Sequence, residues 1–202
     1  MNIGTLIPRH ARYRTTHTAM VFGGERYSYG TFSERVNRLG HALLAAGIAK
    51  GQKIATVVPN CMELFDLYWA AAQTGAVVVP MSPLLQPKGL AGLLRDGDAE
   101  MVLTHPNYAA LVAAARDQLD IPADNYIVAG AHPLDGFRAF DDFVGAAPST
   151  ALPDAGLGDD DVYNIIYSSG TTGDPKGIVH THYVRANYCT MFSQAFRFTP
   201  ES

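Results

Sequence analysis

The residues of this 202-residue chain whose types and spacing could do chemistry lie together, in Ser168-Ser169-Gly170-Thr171-Thr172-Gly173-Asp174-Pro175-Lys176-Gly177. Gly170, Gly173 and Gly177 permit backbone conformations closed to other residues, so consecutive amides can turn inward and form a nest for anionic oxygens. Ser168, Ser169, Thr171 and Thr172 add short hydroxyls that can donate to phosphate or face a metal's water shell. Lys176 supplies a point cation on a long stem, and Pro175 stiffens the chain beside it. A polyphosphate is the ligand that suits this combination. The same residue types also build ordinary surface turns. The position of the run decides for phosphate, because it follows directly on the apolar, β-branched segment 162–167, which reads as a buried strand.

Two common phosphate loops do not fit. A Walker A loop needs lysine between glycine and Ser/Thr, whereas Lys176 sits between Pro175 and Gly177. The dinucleotide pattern needs Gly-x-Gly, and no such pair precedes Gly170 and Gly173. Segment 167–178 instead resembles the phosphate-loop signature of the adenylate-forming superfamily, which includes the acyl-CoA synthetases, luciferases and adenylation domains. That pattern runs approximately Tyr/Phe, Ser/Thr, Ser, Gly, Ser/Thr, Thr, Gly, any residue, Pro, Lys, Gly, Val/Ile. Tyr167 to Ile178 matches every defined position, and Thr181-His182 matches the Thr-His that often follows. Upstream, Tyr27-Ser28-Tyr29, Asn37-Arg38-Leu39, Gly47 with Lys50-Gly51, Pro59-Asn60 with Glu63, and Gly75-Ala76-Val77 with Pro80 resemble the N-terminal subdomain of that family. The resemblance therefore covers nearly the whole chain. Asp174 places a carboxylate in a loop meant for anions, and its side chain is expected to point to solvent.

The resemblance implies activation of a carboxylic acid, fatty or otherwise organic, by ATP. The acyl-adenylate and pyrophosphate form first, and the thiol of coenzyme A then displaces AMP. ATP, Mg²⁺ and coenzyme A are the implied cofactor and co-substrates. Lys176 would contact the terminal phosphates, and Ser168, Ser169, Thr171 and Thr172 would donate to them. Gly170, Gly173 and Gly177 would allow close approach, and Thr172 would face the Mg²⁺ carried by ATP. No catalytic residue is assigned. The family's adenine-binding segment, metal-binding glutamate, ribose-binding aspartate and catalytic lysine are not found. The chain is thus expected to be a partial N-terminal AMP-binding domain, inactive alone, and to self-associate through exposed apolar surface. An adenylation unit loading a carrier protein is an alternative, against which the Thr171-Thr172 pair leans mildly. A silent nucleotide-binding module is another. The acid is not legible, because this family builds its acyl pocket mostly from later residues.

The elements that must position the loop follow from periodicity. Segment 19–29 reads as a hairpin turning at Gly23-Gly24. A helix follows with Thr31 as N-cap, Glu34 completing a capping box and Gly47 as stop. Its apolar face is Phe32, Val36, Leu39 and Leu43. Strand 53–59, a helix capped by Asn60 and ending near Gly75, and strand 76–80 come next. Helix 89–95, strand 101–104, helix 106–119 and strand 126–129 continue the alternation. Alternating strands and helices imply an α/β fold, a mainly parallel sheet with flanking helices. Segments 1–129, a connection at 130–161 with one helical turn at 140–144, a strand-loop-strand at 162–182 and a helix at 183–198 are the expected divisions.

Hydrophobic residues make up 48% and charged residues 17%, a globular composition, and the net charge of −4 gives no footprint for nucleic acid. The most apolar run, 67–81, is too short to span a bilayer. A cytoplasmic protein without transmembrane segments is expected, a homo-oligomer being open. Cys61 and Cys189 form no CxxC pair. Cys61 could have a lowered pKa at a helix start, although a buried thiol is the plainer reading. His180 and His182 would share a face if both were in a strand, but no local partner completes a metal site. Tyr68 and Trp69 read as core, and Asp159-Asp160-Asp161 as a solvated loop.

Overall fold

The computed structural model describes residues 2–168 and 175–199. Helix α1 (Leu6–Tyr13) leads into an antiparallel hairpin of β1 (Thr18–Phe22) and β2 (Glu25–Ser28). Gly23 and Gly24 turn it with φ of +59° and +86°. Two successive positive φ values are what a two-residue type I′ turn needs and what only glycine adopts freely.

The next helix, α2 (Tyr29–Ala45), starts earlier than its sequence suggested. Its N-cap is Ser28, whose hydroxyl accepts from the Thr31 amide at 3.1 Å, so Thr31 is a first-turn residue and not the cap. Ser28 is the last residue of β2 and still extended, with φ −73° and ψ 162°, so the chain passes from strand to helix without a loop. At the other end Gly47 donates to Leu44 and Ile48 to Leu43, at 3.1 and 2.9 Å. With Gly47 at φ +80°, this is a Schellman closure, and Ile48 and Leu43 both lie in the core beneath it.

The remaining elements are β3 (Lys53–Val57), α3 (Met62–Thr74), β4 (Val77–Pro80), α4 (Pro87–Asp96), β5 (Ala99–Thr104), α5 (Ala109–Arg116) and β6 (Tyr126–Val128). They are followed by β7 (Arg138–Ala139), α6 (Phe140–Val144), β8 (Val162–Ser168), β9 (Lys176–Thr181) and α7 (His182–Phe196). The N-cap position of α3 is Cys61, not Asn60, and its side chain makes no cap bond. The described residues form a seven-stranded sheet in the order β7-β6-β5-β3-β4-β8-β9. Every pairing in it is parallel except β8 with β9. This is the α/β fold expected, with helices on both faces.

Side chains alternate across the central strands, and both sets are buried. Ile54, Val78, Met101, Leu103 and Ile127 face α2, α3 and α6. Ala55, Val77, Val79, Val102 and Val128 face α4 and α5. Burial on both faces is why these strands read as continuous apolar runs with no polar alternation. The short strand β7, inside what reads as irregular connection, has only Ala139 and the neighbouring Phe137 and Phe140 to bury, too few for a periodic signal. After α6 the chain lies as a strap along α2. The Asn37 amide donates to Ser149 O at 2.9 Å, and a Cβ on Gly40 would sit 2.4 Å from a Leu152 methyl. Among the described residues, no helix is long and apolar enough to cross a membrane.

Leu43 is 0% exposed at the centre of the α2 face. Because alanine is the better helix former, the Leu43→Ala cost is one of packing alone. We expect a loss of about 2–5 kcal/mol in unfolding free energy by urea titration.

Candidate functional site

The candidate loop hangs from the carboxyl end of β8, the end of an open α/β sheet where ligands bind. Ser169, Gly170, Thr171, Thr172, Gly173 and Asp174 lie outside the described residues. Its two stems are described. Ser168 and Lys176 stand directly opposite each other in the antiparallel β8–β9 register, followed inward by Tyr167 opposite Gly177 and Ile166 opposite Ile178. Opposed residues of an antiparallel pair point to the same face. The Ser168 hydroxyl and the Lys176 ammonium therefore flank the loop's mouth on one side of the sheet. Lys176 is exposed and pairs with no carboxylate among the described residues. The second strand of the expected strand-loop-strand begins at Lys176, so the lysine belongs to a strand and not to the loop's free arc.

Gly177 has a packing reason to be glycine. A Cβ there would lie 2.9 Å from Ile165 Cγ2 and 3.5 Å from the Tyr167 ring, which sits against it from across the hairpin. Tyr167 also reaches α4, where its hydroxyl donates to Asp96 at 2.5 Å.

A buried polar layer underlies the mouth. Asn164 is 0% exposed, opposite His180 in the β8–β9 register, and its Oδ1 accepts from Arg185 Nε of α7 at 3.0 Å. The guanidinium lies 5.6 Å over the Tyr188 ring. The sequence analysis did not select Asn164 or Arg185. The available signal was a lone amide inside an otherwise apolar β run, which must have a partner if buried.

The two histidines differ from the strand reading. His180 is on β9, but His182 is the first residue of α7, whose N-cap is Thr181. The acidic run is not simply solvated either. The His182 and Tyr183 amides donate to Asp161 O and Asp159 O, at 3.0 and 2.9 Å. The Asp161 carboxylate pairs with Lys50 at 2.8 Å and accepts from the Gly158 amide, which lowers its pKa. This loop therefore satisfies the orphan donors that begin α7. Among the described residues, no cluster of three or more His, Cys, Asp or Glu could hold a metal. Cys61 is half-buried, and burial pushes its thiol up to about 11, the opposite of an activated nucleophile. Tyr68 and Trp69 are half-buried. With Ile3, Tyr163, Arg185 and Phe192 they line a cavity of about 430 Å³ between α3 and α7.

His182 is 0% exposed, and neither ring nitrogen has a hydrogen-bond partner among the described residues. Burial lowers its pKa, with Asp161 opposing more weakly. Its neutral form is therefore the folded form, and the stability this supplies is present above about pH 6.5 and is lost as pH falls through the lowered folded value. Burial depresses His180 in the same direction. Urea unfolding between pH 7.5 and 5.5 is expected to show stability falling by up to about 1.4 kcal/mol per pH unit for this group. His182→Gln should remove that share of the slope.

A family model described as AMP-binding enzyme matches residues 7–202. The chain is 36% identical over 158 residues to the long-chain-fatty-acid–CoA ligase FadD13 of Mycobacterium tuberculosis, covering 78% of this chain and 30% of that protein. It is 34% identical over 182 residues to a feruloyl-CoA synthase of Amycolatopsis sp, covering 89% and 33%. The solved structure of the anthranilate CoA ligase AuaEII in complex with anthranoyl-AMP superposes with a TM-score of 0.85 at 27% identity, covering 96% of this chain and 36% of that one. The chain thus spans about a third of the length of the relatives it matches. On the match over residues 7–202, the chain belongs to the AMP-binding enzyme family.

Proposed function

We propose that this chain supplies the ATP phosphate loop of an AMP-forming acid–CoA ligase. The observation that carries the reading is the pairing of Ser168 with Lys176 across the β8–β9 stem, with a run of glycines and hydroxyls between them. Family membership supports it, as do relatives whose names are those of fatty-acid, feruloyl, hydroxybenzoate and carnitine CoA ligases.

A carboxylate resists thiols because its leaving group is poor. Transfer to AMP replaces that group with a good one, and the step releases pyrophosphate. The described residues suit a triphosphate, since an exposed ammonium and a hydroxyl share one face at the mouth. Lys176 holds the terminal phosphates and offsets the charge that grows on departing pyrophosphate. Ser168, with Ser169, Thr171 and Thr172, donates hydroxyl hydrogen bonds. Gly170, Gly173 and Gly177 let the backbone come close. Mg²⁺ brought with ATP would neutralise phosphate charge, and Thr172 would be the residue to face its water shell. Coenzyme A is the thiol that displaces AMP, and the acid is a fatty or other organic acid.

Isothermal titration with Mg-ATP tests the reading. Lys176→Ala is expected to weaken binding roughly tenfold or more, because a charged hydrogen bond is lost. Its unfolding midpoint should hold, because the side chain is exposed. A wild-type chain without affinity, or a variant that binds equally well, would sink the proposal.

A further inference from the structure

We infer that Tyr167 and Asp96 form a latch that positions the phosphate loop, which makes both of them positioning residues for the nucleotide. This rests on the reading that the loop takes ATP phosphates. Tyr167 immediately precedes Ser168, the last residue of β8 before the loop. Its ring packs against Gly177 on the opposite stem, so one side chain touches both ends of the loop. Its hydroxyl donates to the Asp96 carboxylate at 2.5 Å across 71 residues of sequence. Gly97 lies beside this contact, where even a Cβ would meet the Tyr167 hydroxyl only at van der Waals distance, 3.4 Å. The hairpin otherwise joins the sheet through β4 alone, at the register pair Val78 and Asn164. Beside the apolar packing of Val162, Ile165 and Tyr167 against the core beneath α4, the latch adds a polar tie from the end of β8 to the end of α4.

The position of Asp96 does not serve its own helix. It is the last residue of α4 and is exposed. A carboxylate at a helix C-terminus opposes the helix dipole, so it gains nothing there without its partner. Burial, and then the bond to Asp96, raise the Tyr167 pKa above its ordinary value, so the hydroxyl remains a donor throughout the neutral range. Replacing Asp96 should therefore loosen the loop without unfolding the protein, a separation that a purely structural bond in the core would not show.

The test uses the full 202-residue chain as wild type, Tyr167→Phe, Asp96→Ala, Asp96→Asn and the Phe/Ala double variant. Amide hydrogen exchange is read without ligand, and Mg-ATP affinity by titration. Tyr167→Phe and Asp96→Ala are expected to speed exchange at the stem amides of Ser168 and Lys176–Ile178 while β3 and β5 stay protected. Mg-ATP should bind roughly three- to tenfold more weakly. The double variant should be no worse than either single one, and Asp96→Asn should recover much of the loss because its amide oxygen still accepts. Unchanged stem exchange would overturn the latch. Faster stem exchange with unchanged affinity would show a bond that does not position the nucleotide, which also overturns the proposal. If the wild type binds no Mg-ATP while the stem responds, the phosphate reading has failed, and the positioning role falls with it.

Discussion

The site depends first on where β8 joins the sheet. Parallel strands β3, β4 and β5 are covered on both faces, and their backbone donors and acceptors must pair along their length. β4 offers its free edge to β8, which seats the hairpin beside the central core and aims its open end past the carboxyl ends of the strands. The direction in which the two stems, β8 and β9, open follows from that edge pairing. Strand β9 then runs back antiparallel, which a two-stranded stem requires and which brings Lys176 level with Ser168.

Polar groups are buried in several elements, and each has a different resolution. Asn164 is buried with its carbonyl oxygen bonded to Arg185, and this bond ties α7 to β8. Asp66 is buried with Arg35 at 2.5 Å, yet its pKa is raised, because the cost of desolvation outweighs the attraction of its partner. His182 has no partner among the described residues and stays neutral. These groups fix geometry more than they add stability, since burying a polar group costs free energy that its hydrogen bond only offsets.

Close approach sets the glycines at the joints. Gly75 ends α3 at φ +81°, where a Cβ would meet Leu157 Cδ2 at 2.7 Å and the Lys50 backbone at 3.1 Å. The turn from α3 into β4 can be tight only because nothing projects there. The connection after α6 depends on the same economy, since Leu152 fits over Gly40. Charge then holds that connection at its far end, where Lys50 bridges Gly156 O and Asp161. Asp161 in turn accepts from the first amide of α7, so α2, the strap and α7 are linked in series.

The sequence by itself determined the fold class, the hairpin at Gly23-Gly24, the apolar face of α2 and the one-turn helix α6. Each of these is a local pattern of period 2 or 3.6 bounded by glycine or proline. It also singled out residues 168–177 as the candidate phosphate loop proposed above, by glycine, hydroxyl and lysine types in a row. Only the tertiary structure decided the rest. Ser28 displaced Thr31 as cap because β2 delivers the chain to the helix already extended, which depends on strand pairing and not on the capping motif. Strand β7 formed because β6 offered an edge, although its two residues carry no periodic signal. The partnerships of Asn164 with Arg185 and of Tyr167 with Asp96 span 21 and 71 residues. No local pattern encodes such distances, because they depend on which strand edge accepts β8.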